Sequence, residues 1–216
     1  MLQLLIERLQ RARTLDDIAV AAPVSRDNDH IEDLCLRLGI GIYRGSEEDV
    51  LDRVVGAARA FNADIIVEIT ADCPLMDPGL VDAVVGDFMM GGADFVANLP
   101  EYTTPRGTDV RVFTTEQLEE INRISSDLAD HEHVSLHFWE HPEKYRLRNT
   151  RFDFSRYVAD LRLTVDTEED FELIRRIFEA LYPGNPDFSF ADVLEVLRNH
   201  PDWIELNRSV RQKSVR

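Results

Sequence analysis

The chain has 216 residues, with 41 Asp and Glu against 24 Lys and Arg, a formal net charge of −17, and 44% hydrophobic beside 30% charged residues. That size and balance suit a soluble α/β protein with a sizeable core, and the acidity argues against a nucleic-acid groove or an anionic membrane surface as main partner, since both reward clustered cations. No apolar run approaches the roughly 18 residues of a membrane span, and Cys35 and Cys73 are too few for a disulfide framework, which fits a reducing cytoplasm.

The opening MLQLLIERLQRART starts at once in an amphipathic helix, with Leu2, Leu5, Ile6 and Leu9 on one face. Residues 18–22 read as a buried strand ended by Pro23, followed by a helix around 31–38 that Gly39 stops and a strand over 40–43. Ser46 is placed to cap a helix that runs to about Ala60. Residues 64–70 form the strongest strand, which ends in Ala71-Asp72-Cys73-Pro74-Leu75-Met76-Asp77-Pro78, and a helix over 79–90 comes next. Strands are predicted at 94–98 and 109–113, flanking a loop over 99–108 rich in Pro, Thr and Gly, with helices at 115–124 and 130–140. Further strands fall at 146–151 and 161–165, and the helix over 168–182 should pack through Phe171, Ile174, Ile177, Phe178 and Leu181. A last helix covers 190–199, and the tail from Asn207 carries Arg208, Arg211, Lys213 and Arg216 without an acid. Strands alternating with helices imply βαβ units and a mainly parallel sheet, in a single domain over residues 1–216.

Asp72 stands just beyond the carboxyl end of the best strand, where open α/β sheets place their ligands. It reads equally well as a loop carboxylate that caps the following helix. Asp166 repeats the situation after residues 161–165, and either Asp166 or Thr167 suits the cap of the helix behind it. Brought together at one sheet edge, the two carboxylates would make an ordinary Mg²⁺ arrangement. Arg106 and Asp109, in Pro105-Arg106-Gly107-Thr108-Asp109, offer a planar fork for an anion and an acceptor for sugar hydroxyls, or simply a surface ion pair. His133, His137 and His141 recur at helical spacing, but one helix stripe does not supply a closed zinc site, and incidental histidines on a partly exposed face are the plainer reading.

In order along the chain, Arg44-Gly45-Ser46-Glu47-Glu48-Asp49-Val50-Leu51, Ala71-Asp72-Cys73-Pro74-Leu75, Pro105-Arg106-Gly107-Thr108-Asp109-Val110, Glu132-His133-Val134 and Thr164-Val165-Asp166-Thr167 resemble the cytidylyltransferases. The likeness is greatest to those of spore coat polysaccharide biosynthesis, and more distant to the acylneuraminate and 3-deoxy-manno-octulosonate enzymes. It implies a three-layer, Rossmann-like α/β nucleotidyltransferase fold that joins CTP to a sugar or sugar acid and releases pyrophosphate. By this resemblance Asp72 and Asp166 would hold Mg²⁺, Arg106, Asp109 and His133 would face the sugar, and Ala21, Ala22 and Pro23 would lie near the cytidine. A homodimer in the cytoplasm is the expected form. The family's first strand and its lysine-ended phosphate loop are expected to be absent, since Met1 aligns with the first helix, and Ser135-Leu136-His137 departs from the family's usual Thr-Pro-Tyr. Two alternative functions stand beside this one. The first is a non-catalytic, truncated homologue that pairs with a complete subunit. The second, ranked lowest because Asp72-Cys73-Pro74 lacks a second acid, is a nucleotide-sugar glycosyltransferase.

Overall fold

A computed structural model describes residues 1–99, 101 and 103–212. Pro100 and Tyr102 of the predicted loop, and Lys213 and Arg216 of the basic tail, lie outside the described residues. The fold is α/β. Strands β1 (Ala19–Pro23) and β2 (Gly41–Gly45) form a parallel pair, and β3 (Ile65–Glu68), β4 (Phe95–Ala97), β5 (Arg111–Thr114) and β6 (Leu147–Asn149) form a sheet of order β3-β5-β4-β6. In the larger sheet β5 runs against both β3 and β4, while β4 and β6 are parallel, so three strands share one direction and β5 alone is reversed.

Strand alternation builds three layers. On one face Val96 and Val112 meet Leu5 and Leu9 of α1 (Leu2–Leu9) and Val81, Val84 and Val85 of α4 (Pro78–Met89). On the other, Phe95, Ala97 and Phe113 pack with Leu51 and Val55 of α3 (Val50–Ala60) and Leu118 and Ile121 of α5 (Thr115–Ile124). A separate cluster joins Leu161 and Leu163 to α9 (Glu168–Leu181) and α10 (Phe190–Asn199). The remaining helices are α2 (Asp29–Leu38), α6 (Leu128–Glu132), α7 (Leu136–Glu140), α8 (Arg156–Ala159) and α11 (Pro201–Ile204).

Several local expectations are corrected. The helix predicted over 130–140 is two short helices, because the chain turns at 133–135, where the Leu136 amide donates to the His133 carbonyl at 2.7 Å. His133 and His141 therefore sit at the ends of different helices, not on one stripe. Phe171 is 45% exposed and Leu173 takes the core position expected of it. Asp49, not Ser46, caps α3 by accepting from the Asp52 amide, and the Ser46 hydroxyl instead accepts from the Asp49 amide. Arg8 of α1 is buried: it donates to the carbonyls of Met76 and Phe188 and lies over the Phe188 ring. Among the described residues, no helix is long and apolar enough to cross a membrane.

Candidate active site

Residues 161–165 are extended but do not join a sheet as a full strand. They are pinned from two sides by single contacts: the Leu163 amide donates to the Arg106 carbonyl at 2.8 Å, and the Val165 amide donates to the Asp72 carbonyl at 2.9 Å. The neighbours on both sides are loops, so no longer ladder can form. Those two bonds nevertheless bring together three segments far apart in sequence, around residues 72, 106–109 and 162–166, and place Asp72 and Asp166 on adjoining stretches of backbone.

Neither Asp72 nor Asp166 is the cap of the helix that follows it, and Asp72 Oδ1 accepts from the neighbouring Cys73 thiol at 3.6 Å. Asp77, not Asp72, caps α4 by accepting from the Gly79 amide at 2.8 Å. Thr167, not Asp166, caps α9, in a reciprocal box with Asp170. Asp166 is instead fixed through Oδ2, which accepts from Arg162 Nη2 at 2.5 Å and the Thr164 hydroxyl at 3.3 Å, leaving Oδ1 without a partner among the described residues.

The loop that carries Arg106 and Asp109 is held by a buried Asn98. Its amide nitrogen donates to Thr104 Oγ1 and the Thr108 carbonyl, and its oxygen accepts from the Val110 amide at 2.8 Å. Gly107, at φ +94°, lies so close to the 163–164 backbone that an added Cβ would stand 2.5 Å from the Leu163 carbonyl carbon. Glycine is thus required there both for its backbone angle and for the close approach.

Beneath the loop, Glu68 and Arg111 face each other across the β3–β5 ladder, with Arg111 3.8 Å from Asp109 and 4.0 Å from Glu68. Burial pushes the Asp109 carboxyl above the ordinary carboxylate range; Arg111 and Arg106 oppose that rise, while Asp72 and Glu68 add to it. Burial likewise raises the Cys73 thiol well above its usual value, with Asp72 reinforcing the effect, so Cys73 is an inert filler beside Asp72.

Glu68, Arg111, Asn98, Arg162 and Asp170 were not singled out from sequence. A charged residue at the end of each of two otherwise apolar strands was the available signal for Glu68 and Arg111.

Asp72 and Asp166, on adjoining backbone, carry the oxygen donors that a hard divalent cation takes, although among the described residues no group of three or more His, Cys, Asp or Glu is placed to hold a metal ion. Glu68 Oε2 and Asp109 Oδ1 are buried without a hydrogen-bond partner among the described residues. Ala21, Ala22 and Pro23 lie in the other sheet, on β1, whose end is held by Arg44 Nε donating to the Pro23 carbonyl at 2.9 Å. His133 ends α6, and His137 is buried with Nδ1 2.8 Å from Asp130. No bond among the described residues ties these four positions, Ala21, Ala22, Pro23 and His133, to the Asp72–Asp166 junction.

Comparison with known proteins agrees with this fold. A family model described as cytidylyltransferase matches residues 1–200. The chain is 32% identical to an uncharacterised protein of Methanocaldococcus jannaschii, over 100% of this chain and 86% of the relative. It is 30% identical to the spore coat polysaccharide biosynthesis protein SpsF of Bacillus subtilis, over 94% of this chain and 85% of that protein. Among solved structures, a cytidylyltransferase from Leptospira borgpetersenii superposes with a TM-score of 0.89 at 29% identity, covering 98% of this chain and 87% of the other.

Proposed function

The chain belongs to the cytidylyltransferase family, and from that premise we propose that it transfers the cytidylyl group of CTP to a sugar or sugar acid destined for a surface or spore-coat polysaccharide. The observation that supports the reading is the Val165–Asp72 backbone bond, which puts Asp72 and Asp166 on adjoining stretches of backbone, neither of them the cap of a helix.

In this reaction a sugar hydroxyl attacks the α-phosphorus, a new oxygen–phosphorus bond forms, and the bond to the bridging oxygen breaks to release pyrophosphate. Asp72 and Asp166 are the residues that would hold Mg²⁺, which supplies charge neutralisation at the phosphates. Arg106 directs a planar set of donors towards an anionic group of the acceptor. Asp109, kept by burial more basic than an ordinary carboxylate, accepts from the attacking hydroxyl. Asn98 and Gly107 hold the loop so that these two side chains keep their place relative to the 162–166 segment. Catalysis here is mainly positioning and electrostatics, so small displacements of the loop should cost rate.

The test is pyrophosphate release by the full chain with CTP, Mg²⁺ and a panel of neutral sugars and sugar acids. Asp72→Asn and Asp166→Asn should each reduce the rate about 100-fold or more, in the range for removing a group that stabilises developing charge. Unchanged rates in both variants would remove the pair from the reaction. CTP binding without pyrophosphate release from any acceptor would favour the non-catalytic partner.

A further inference from the structure

The Arg162 side chain is heavily bonded at the junction, and the reaction scheme above gives it no role. Its Nε donates to Asp170 Oδ1 at 2.9 Å, its Nη2 to Asp170 Oδ2 at 3.0 Å and to Asp166 Oδ2 at 2.5 Å, and its Nη1 to Gln212 Oε1 at 2.6 Å. All three guanidinium nitrogens are therefore committed, in a side chain only 11% exposed. Asp170, fully buried, also accepts from the amides of Asp166 and Thr167 and from Asn207 Nδ2 at 2.8 Å. Asn207 Nδ2 further donates to the Arg162 carbonyl at 3.0 Å. The segment 207–212 is thus stapled to the Asp166 turn at two points, one through Asn207 and one through Gln212.

We propose that Arg162 is the positioning residue of this site, and that the segment 207–212 acts through it to fix the Asp166 carboxylate with Oδ2 engaged and Oδ1 presented outward. The inference rests on the nucleotidyl-transfer reading for what Asp166 does, but not for how Asp166 is held. Asp170 balances the guanidinium charge, so Arg162 contributes orientation to Asp166 more than neutralisation. A lysine at 162 keeps the charge but is a single point donor and cannot reach Asp166, Asp170 and Gln212 together. Groups that orient a metal ligand from behind commonly change metal affinity without touching the metal.

The experiment compares the parent chain with Arg162→Lys and Gln212→Ala. Because Gln212 is exposed, its removal should leave the melting temperature unchanged even if loss of Arg162 disturbs the buried Asp170. Two readouts are taken: the χ1 distribution of Asp166 from side-chain couplings in the metal-free chain, and Mn²⁺ affinity by electron paramagnetic resonance. The expected result is one Asp166 rotamer in the parent and averaging in both variants. Mn²⁺ binding should weaken about 10-fold in Arg162→Lys and by a smaller factor in Gln212→Ala, at the lower end of what such supporting residues cost. An unaveraged Asp166 in both variants, or, where the parent binds Mn²⁺, an affinity equal to the parent's in both, overturns the proposal. If Asp166 averages in the variants but the parent binds no Mn²⁺, the positioning role stands and the metal reading under the proposed function fails.

Discussion

Replacing Gly107 by alanine tests whether the loop of Arg106 and Asp109 is locked against the 162–166 segment. The new Cβ would sit 2.5 Å and 2.6 Å from the carbonyl carbon and oxygen of Leu163 and 2.7 Å from the Thr164 nitrogen, all backbone atoms that cannot rotate away. The left-handed φ of +94° adds strain for any residue with a side chain. Backbone strain of this kind costs about 1–3 kcal/mol and overpacking about as much again, so the variant should lose about 2–6 kcal/mol. For a chain of this length that corresponds to a fall of about 4–24 °C in melting temperature. Differential scanning fluorimetry with urea titration reads the loss. Gly86→Ala is the control: it lies in α4, nothing stands within 4 Å of an added Cβ, and it should gain about 0.5–1 kcal/mol. If Gly107→Ala were as stable as the parent, the loop would not be locked and the assembly of the site from three segments would be wrong.

His131 lies between the Asp49 carboxylate at 2.8 Å and the Ser125 carbonyl at 3.1 Å, both acceptors, so the protonated ring can donate from both nitrogens. The bond to Asp49 raises its pKa above the ordinary histidine value, so its stabilisation is full below the ordinary value and is lost as pH rises through the higher folded-state value. The stability gap between parent and His131→Ala, from urea unfolding across a pH series, should therefore shrink on going alkaline; a constant gap would refute the charged form. Arg8→Ala should cost about 2–4 kcal/mol in unfolding free energy, because it strands two buried carbonyls and removes a stacked guanidinium, while Arg8→Met should cost less by refilling the space. Equal losses for the two would mean that volume, not bonding, sets the cost. CTP affinity by calorimetry should fall at least about 10-fold when divalent cations are chelated, a difference of about 1.4 kcal/mol; equal affinity would show that arginines and backbone amides hold the phosphates alone.

The sequence made the regular parts of this fold legible and the irregular parts less so. Thr115–Ile124 and Phe190–Asn199 match their predicted bounds because each carries a capping box and a clear apolar stripe. The break within 130–140 escaped detection because helical spacing says nothing about tertiary demand: buried Asp130 is drawn to the Ser125 hydroxyl and to His137, and Val134 and Phe138 must both reach the α3–α5 core. Asp170 looked like one of three acids in a first helical turn, although it is the fully buried one. Nothing local marks that difference. It follows from Arg162 and Asn207, which arrive from other parts of the chain.

The segment bearing Asp166 has one backbone bond on each side, far less than a strand inside a sheet, yet the cation-holding role proposed for Asp166 calls for a rigid group. Those two backbone bonds tie it to the Arg106 and Asp72 carbonyls of its neighbours. Here the rigidity comes from side chains instead: Asp170 collects the amides of Asp166 and Thr167, Arg162 and Asn207, and Arg162 passes the constraint on to Asp166. Burial alone would push the Asp170 carboxyl up, but the bonds from Arg162, Asn207 and the Asp166 amide outweigh it and hold its pKa below the usual carboxylate value. Its contribution is therefore present above the unfolded-state pKa and disappears only as pH falls through the lower folded-state value, which keeps the hub charged across the whole range in which a nucleotide and a divalent cation would bind. The carboxylate that stays buried and paired is the one that lets its neighbour keep Oδ1 open.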